Sequence, residues 1–420
     1  MEEAKIKKKR QFSGGEDPFA KALLSWYDEN RRILPWREEP GAYHTWLSEI
    51  MLQQTRVEAV KGYYARFLAA LPEISDLADA EEEKVLKLWE GLGYYSRARN
   101  LQKAAKTIMT EYAGEMPKTF QELKKLPGIG EYTAAAIASI VYKEEIPALD
   151  GNLLRIFSRL TSYPKVVLEP EGKKLAFSFF QEKMRGIDPG DFNQALMDLG
   201  SGVCLPKGEI GCKSCPLEDF CSSSKAGNPS DFPKLPEKKK RKVEQYSIFL
   251  IRHQEELMLK KRENKGLLAG LYEFYKLEGH CSEKEALEAV ESLGLRPIRI
   301  KALGEAKHIF THKEWEMIGY EVYCGDFQGE GQQEEQQEGQ QEGQQEGQQE
   351  GQQEGQKEEN SVILRESLIP EESGKAKKTV AKKATAKKLW EKQGYRFYSK
   401  EEIQGELSIP SAFAYYKQFL

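Results

Sequence analysis

The 420-residue chain has no uninterrupted apolar run of the roughly 18 residues that a membrane-spanning helix needs, which excludes an integral membrane protein of that kind. No apolar stretch follows the basic start (MEEAKIKKKR), so that start does not read as a secretory signal. Cysteine is sparse, and four of the six cysteines fall between Cys204 and Cys221. In a chain without a signal, that clustering reads as metal binding in a reducing compartment such as the cytoplasm, not as a disulfide framework. An excess of positive charge is also missing, the formal net charge being -4. This does not exclude nucleic acid, because Lys-rich runs at Lys5–Arg10, Lys238–Lys242 and Lys375–Lys388 leave room for a local basic face.

What is present divides the chain. Residues 1–15 read as a basic, disordered N-terminus, and 16–226 as helix after helix with little strand-like alternation. Phe19, Leu23, Leu24 and Tyr27 recur at helical spacing, as do Trp46, Ile50 and Val57, and Leu86 with Trp89. Several prolines and few apolar residues make 227–245 an extended linker. From 246 to 420 the pattern turns to mixed α+β, with strands expected at Tyr246–Arg252, Leu257–Leu259, Glu316–Phe327 and Tyr395–Tyr398 and a helix at Glu285–Leu293. A tandem Gly-Gln-Gln-Glu unit and the Lys/Ala run behind it, about 328–388, offer nothing to pack and read as a disordered insertion.

Three constellations could carry chemistry. Cys204, Cys212, Cys215 and Cys221 supply four soft thiolates within eighteen residues, enough for an iron–sulfur cluster or a zinc ion. One compact loop, without two separated C-x2-C knuckles, favours a [4Fe–4S] cluster, and Lys207 and Lys213 within it are placed to meet phosphates. Leu126-Pro127-Gly128-Ile129-Gly130 followed by an Ala-rich run makes a helix–hairpin–helix, in which Gly128 and Gly130 let backbone N–H groups approach a DNA phosphate. A plain helical-hairpin turn fits the same pattern. The third constellation is a pair of carboxylates. Asp150 precedes a helical run from Leu153 to Leu160, and as its N-cap should have a depressed pKa and stay ionised. Glu49, among large apolar residues, should be raised and serve as a proton donor. Together they suit a reaction with an oxocarbenium-like transition state, though either alone reads equally as a structural cap or a solvated helix-edge residue.

Leu34–Arg37 (LPWR), Trp46–Thr55 (WLSEIMLQQT), Gly91–Asn100 (GLGYYSRARN), the two-glycine hairpin, Leu149–Asn152 and the four cysteines, in that order, resemble the MutY-type adenine DNA glycosylases of the endonuclease III superfamily. The resemblance implies that Glu49 protonates adenine at N7 and that Asp150 stabilises the deoxyribosyl cation. It implies active-site neighbours at Asn152 and Tyr132, an adenine pocket shaped by Trp36, Arg37 and Gln194, and Gln54, Tyr94 and Leu92 at the base stack when adenine is flipped out. Bifunctional relatives carry a Schiff-base lysine where this chain has Tyr132, so strand cleavage is not expected. The expected partner is duplex DNA with adenine opposite 8-oxoguanine or guanine, met by a monomer with no membrane association.

Beyond the linker, Gly266–Phe274, His308–His312 and Ile409–Phe413 resemble the Nudix-like C-terminal domain of the same family. Of the Arg-Glu…Glu-Glu cluster that a catalytic Nudix box needs to hold magnesium, Glu288 and Glu291 remain, while Leu287 and Ser292 replace the others. This domain is therefore expected to recognise, with Phe310, Thr311 and His312 as the counterpart of the family's 8-oxoguanine-reading Phe-Ser-His loop. Two features depart from the family: seven residues separate the first two cysteines instead of six, and the Gln/Glu/Gly insertion has no counterpart.

Overall fold

The computed structural model describes residues 10, 12, 17–38, 40–237, 240–325 and 389–420. The expected insertion at 328–388 and most of the expected N-terminal tail lie outside them. Arg10 is a described exception to that tail: it is fixed by ion pairs to Asp28, at 3.3 Å, and to Asp191. The chain forms two compact units, residues 1–239 and 240–420. Among the described residues no helix is long and apolar enough to cross a membrane.

The first unit is helical. Phe19, Leu23, Leu24 and Tyr27 form the buried stripe of helix Pro18–Asn30, as the spacing predicts. Helix Ala42–Leu52 is buried over most of its length. Val57 does not extend it but begins the next helix, Val57–Ala70, because the chain turns at Gln53–Arg56. Trp89 likewise is the C-cap of helix Glu82–Leu88 and is fully buried. Helix Ser96–Glu111 packs against this group, and the short helix Phe120–Leu123 leads through the two-glycine turn into helix Glu131–Ile140. Gly128 adopts φ 77°, and a Cβ there would sit 2.6 Å from the Cβ of Asn100, so both the turn and the close approach require glycine. Helices Gly151–Leu160, Pro170–Lys183 and Pro189–Gly202 complete the bundle, followed by the cysteine loop.

The linker expected at 227–245 is not extended throughout. Residues Pro229–Asp231 form a 3-10 turn, Phe232 is buried, and the Arg159 guanidinium donates to the carbonyls of Pro229 (3.0 Å) and Phe232 (3.1 Å). Proline and lysine content hid this, because the anchor is a buried arginine far back in sequence.

Among the described residues the second unit is built on a seven-stranded sheet: β1 (Lys242–His253), β2 (Glu256–Lys261), β3 (Tyr272–Glu273), β4 (Tyr275–Glu278), β5 (Pro297–Ile309), β6 (Lys313–Cys324) and β7 (Tyr395–Tyr398). The order is β3-β2-β1-β6-β5, with β4 paired to β1 and β7 to β2. Strands β1 and β6 run parallel, and β5–β6 is an antiparallel hairpin turning at Phe310–His312. Successive residues of β1 feed opposite faces: Ile248 and Leu250 join a cluster with Trp315 and Phe413, while Phe249 and Ile251 join one with Val290 of helix Glu283–Ser292. Strand β5 was not expected, since its Lys and Arg residues mask the alternation and most of it is exposed.

Candidate active site

Helix Ala42–Leu52 carries Glu49 into the bundle, where it is 6% exposed. Helix Glu131–Ile140, launched by the hairpin, brings Tyr132 to it, and the phenol donates to Glu49 Oε2 at 2.6 Å. Burial is the largest influence on Glu49 and raises its pKa, further raised by Asp150 and opposed by the Tyr132 hydrogen bond and the Arg37 charge. Tyr132 is itself pushed well above the ordinary phenol value by burial, and next by the charges of Glu49 and Asp150, so it remains a donor. The two carboxyl groups therefore share one electrostatic environment, with Tyr132 feeling both.

Asp150 is the N-cap of helix Gly151–Leu160. Its Oδ1 accepts from the Leu153 backbone N–H at 2.8 Å and its Oδ2 from the Asn152 amide at 2.6 Å. The expectation of a depressed pKa is overturned. Burial raises it, and this outweighs the lowering by Leu153, Asn152 and Arg155. The cap was legible in the sequence, but the depth at which it is buried was not. Asn152 is set by close packing, since a Cβ on Gly200 would lie 2.6 Å from its own.

Arg37, Gln194 and Trp36, the other residues expected to shape the pocket, are each fixed by a neighbour, and the charge of Arg37 acts on Glu49. Arg37 is bidentate on buried Asp198, at 2.8 and 3.1 Å, and Arg32 shares the same carboxylate at 2.6 Å. The Arg37 guanidinium also lies 5.9 Å from the Tyr27 ring, and the Tyr27 hydroxyl donates to Gln194 Oε1 at 3.1 Å. Trp36, 6% exposed, meets Tyr64 edge-on at 5.3 Å. Gln54 and Tyr94 are exposed, and both hold a left-handed backbone, at φ 58° and 49°. Leu92, expected beside them at the base stack, is instead buried at 7% exposure. The apolar run around it is shared by loop and core, and sequence could not tell which way it faces.

Cys204, Cys212, Cys215 and Cys221 line one cavity together with Arg159, Val203 and Ile210. Among the described residues, no three His, Cys, Asp or Glu side chains are gathered to hold a single metal ion. Four sulfur donors around one cavity are the ligand type that both an iron–sulfur cluster and a zinc ion take. The Arg159 guanidinium donates to Cys204 Sγ at 3.1 Å and to the Leu205 carbonyl at 2.8 Å. One turn earlier, Arg155 donates to Asn152 Oδ1 (2.9 Å), the Gly200 carbonyl (2.7 Å) and the Cys204 carbonyl (2.9 Å), which ties the loop to the Asp150 end of the helix. Lys207 and Lys213 are exposed on the loop. Gly130 is the N-cap of helix Glu131–Ile140 and supplies no side-chain cap, leaving that terminus open to an anion.

In the second unit, Thr311 and His312 are exposed at the β5–β6 turn. Phe310 is half-buried between His308, at 4.5 Å between rings, and Trp315, at 4.9 Å. Trp315 is fixed by donating to Glu244 at 3.0 Å, as does Lys313 at 3.0 Å. Glu288 is exposed and faces Lys284 at 3.8 Å. Asp198, Arg155, Arg159 and Arg97 escaped the reading of the sequence. Their signal was charge embedded in apolar helix faces, as in Leu153–Leu160 and Ala195–Leu199.

Residues 47–177 match the HhH-GPD superfamily of base excision DNA repair proteins, and 247–355 match the NUDIX domain. The adenine DNA glycosylase of Mus musculus is 35% identical over 367 residues, covering 73% of this chain and 70% of that protein. That of Buchnera aphidicola subsp. Baizongia pistaciae (strain Bp) is 34% identical over 298 residues, covering 70% and 83%. Among solved structures, a thermostable thymine-DNA glycosylase aligns with 26% identity and a TM-score of 0.46, over 50% of this chain and 95% of that one. A sequence likeness of this extent, spanning both units, decides membership: this chain belongs to the adenine DNA glycosylase family, with a helix-hairpin-helix unit followed by a Nudix-like one.

Proposed function

We propose that this adenine DNA glycosylase hydrolyses the N-glycosidic bond of adenine paired with 8-oxoguanine or guanine in duplex DNA, leaving an abasic site and an intact strand. The observation that carries this reading is the closeness of Glu49, Tyr132 and Asp150: Tyr132 donates to Glu49, and the charge of Asp150 acts on both. A glycosidic bond inside a stacked duplex is out of reach, so the adenine must first be extruded, with Gln54 and Tyr94 filling the gap. Glu49, raised by burial, delivers its proton to adenine N7 and so makes the base a neutral leaving group. As the C1′–N9 bond breaks, positive charge develops on the sugar, and the ionised form of Asp150 offsets it. Water supplies the oxygen that joins C1′ and returns a proton to the site. Tyr132 orients Glu49, and Asn152 orients Asp150. No amine stands at position 132, so no Schiff base forms there, and the product is an abasic site without efficient cleavage.

Arg37 and Gln194 are held in place by Asp198 and Tyr27 and, with Trp36, shape the adenine pocket. The open helix terminus behind Gly128 and Gly130 takes a DNA phosphate, as do Lys207 and Lys213. Cys204, Cys212, Cys215 and Cys221 hold a [4Fe–4S] cluster. Such a cluster would supply iron–sulfur bonds across the loop that carries Lys207 and Lys213. Phe310, Thr311 and His312 read the base opposite adenine. The protein acts as a monomer in the cytoplasm, where its DNA lies.

The test uses duplex oligonucleotides with adenine opposite 8-oxoguanine, guanine or thymine. The expected result is free adenine from the first two and strand breaks only after alkali. Failure to release adenine from either mispair, or release of thymine instead, overturns the proposal. A visible absorption band of the purified protein that scales with iron content separates a cluster from zinc.

A further inference from the structure

Arg97, the second residue of helix Ser96–Glu111, is 8% exposed and makes contacts that the chemistry described above does not use. Its Nη1 donates to the carbonyls of Ile50 (2.7 Å), Met51 (2.9 Å) and Gln53 (2.7 Å). Its Nη2 donates to the carbonyls of Leu92 and Gly93, each at 3.1 Å, and to Thr55 Oγ1 at 3.4 Å. The guanidinium lies 5.4 Å from the Trp89 ring and 5.6 Å from the Tyr94 ring.

These acceptors come from two segments. Ile50 and Met51 are in the last turn of the Glu49 helix, where carbonyls lack helical partners and cations are favoured. Gln53 directly precedes Gln54, and Gly93 directly precedes Tyr94. Those following residues are the exposed pair in left-handed backbone, a conformation that persists in a non-glycine residue only where its surroundings enforce it. A lysine could not replace this arginine, since its single ammonium cannot address two carbonyl sets from one plane.

We propose that Arg97 is a positioning residue for base extrusion, clamping Gln54 and Tyr94 into one wedge and fixing that wedge to the helix that carries Glu49. The inference rests on the reading of Gln54 and Tyr94 as residues that enter the stack. Burial without a carboxylate partner among the described residues is consistent with it: the guanidinium, its pKa lowered by burial to about 10, is held by neutral carbonyls and two ring faces. Insertion of the wedge and delivery of the adenine to the acid then form one mechanical event, because the same cation holds both ends.

The experiment follows extrusion by the fluorescence of 2-aminopurine placed as the target base, alongside single-turnover adenine release, in the full chain. Arg97→Lys is expected to slow extrusion and release together by ~10- to 100-fold, since a misplacement of about 1 Å can cost up to ~10²-fold. Binding of fully paired duplex should stay unchanged. The defect should shrink to within about threefold when the adenine lies opposite an abasic site and needs less help to leave the stack. Thr55→Val removes the one side-chain acceptor and should give a smaller defect of the same pattern, which keeps the test open if Arg97→Lys does not fold. A defect of equal size on both substrates, or normal extrusion, overturns the role of Arg97. If instead Gln54→Ala and Tyr94→Ala each leave extrusion at the parental rate, the wedge reading itself fails, whatever Arg97 does.

Discussion

Glu49 lies under protein at 6% exposure, its carboxyl fixed by a tyrosine, whereas Thr311 and His312 stand in solvent at the tip of a hairpin. The two regions use burial in opposite ways. In the first, burial raises the Glu49 carboxyl above the usual carboxylate value, and every neighbour is held by a further neighbour: Asp150 by Asn152, Asn152 by Arg155, Arg37 by Asp198. In the second, Thr311 and His312, proposed to read the base opposite adenine, are exposed, and the half-buried Phe310 beside them packs on Trp315, which is held by Glu244.

The largest effect expected across this comparison is loss of the pocket carboxylates. Glu49→Gln or Asp150→Asn should lower single-turnover adenine release by ~10²–10⁴-fold, the usual range for a positioned acid or charge, with mismatch binding retained. Glu49→Gln should also raise the melting temperature at neutral pH. The sign follows from linkage: a folded pKa raised above the unfolded one gives stability that is present at low pH and is lost as pH rises through the folded value. A neutral amide removes that loss, so a lower melting temperature at pH 7 would contradict the burial argument.

Next in size is the support of Asp150. Asn152 lowers the Asp150 pKa through its hydrogen bond, so Asn152→Ala should raise it and move the acidic limb of the pH–rate profile upward, with about a tenfold loss near neutral pH. An unmoved limb would separate Asp150 from that limb. The smallest effect belongs to the hairpin. Phe310→Ala should leave adenine release opposite guanine within about twofold and reduce the preference for 8-oxoguanine about tenfold, in keeping with roughly 1–3 kcal/mol for an aromatic ring stacked on a base. An equal loss opposite both bases would make Phe310 a core residue.

Sequence legibility followed the same division. Helix Pro18–Asn30 could be read because its apolar period matches the face it buries, and strand β1 because its continuous apolar run, Ile248–Ile251, is buried on both faces. Asp150 was legible as a cap, since capping is decided within four residues. Its raised pKa was not, because desolvation comes from helices distant in sequence. Glu49 and Tyr132 lie 83 residues apart, and no local pattern announces their hydrogen bond. The arginines were missed for the same reason: Arg97, Arg155 and Arg159 bind carbonyls, which every residue carries and no sequence displays. Strand β5 was hidden by its exposed Lys and Arg side chains, and Leu92 by an apolar setting that fits either core or surface.

The double variant Glu49→Gln/Asp150→Asn, assayed for single-turnover adenine release beside each single variant, tests most directly whether the two groups work on one nucleotide. Groups acting as a unit are not additive, so the double variant should fall no more than about tenfold below the slower single variant. A double variant slowed by the full product of the two single losses would show independent contributions and contradict a shared site.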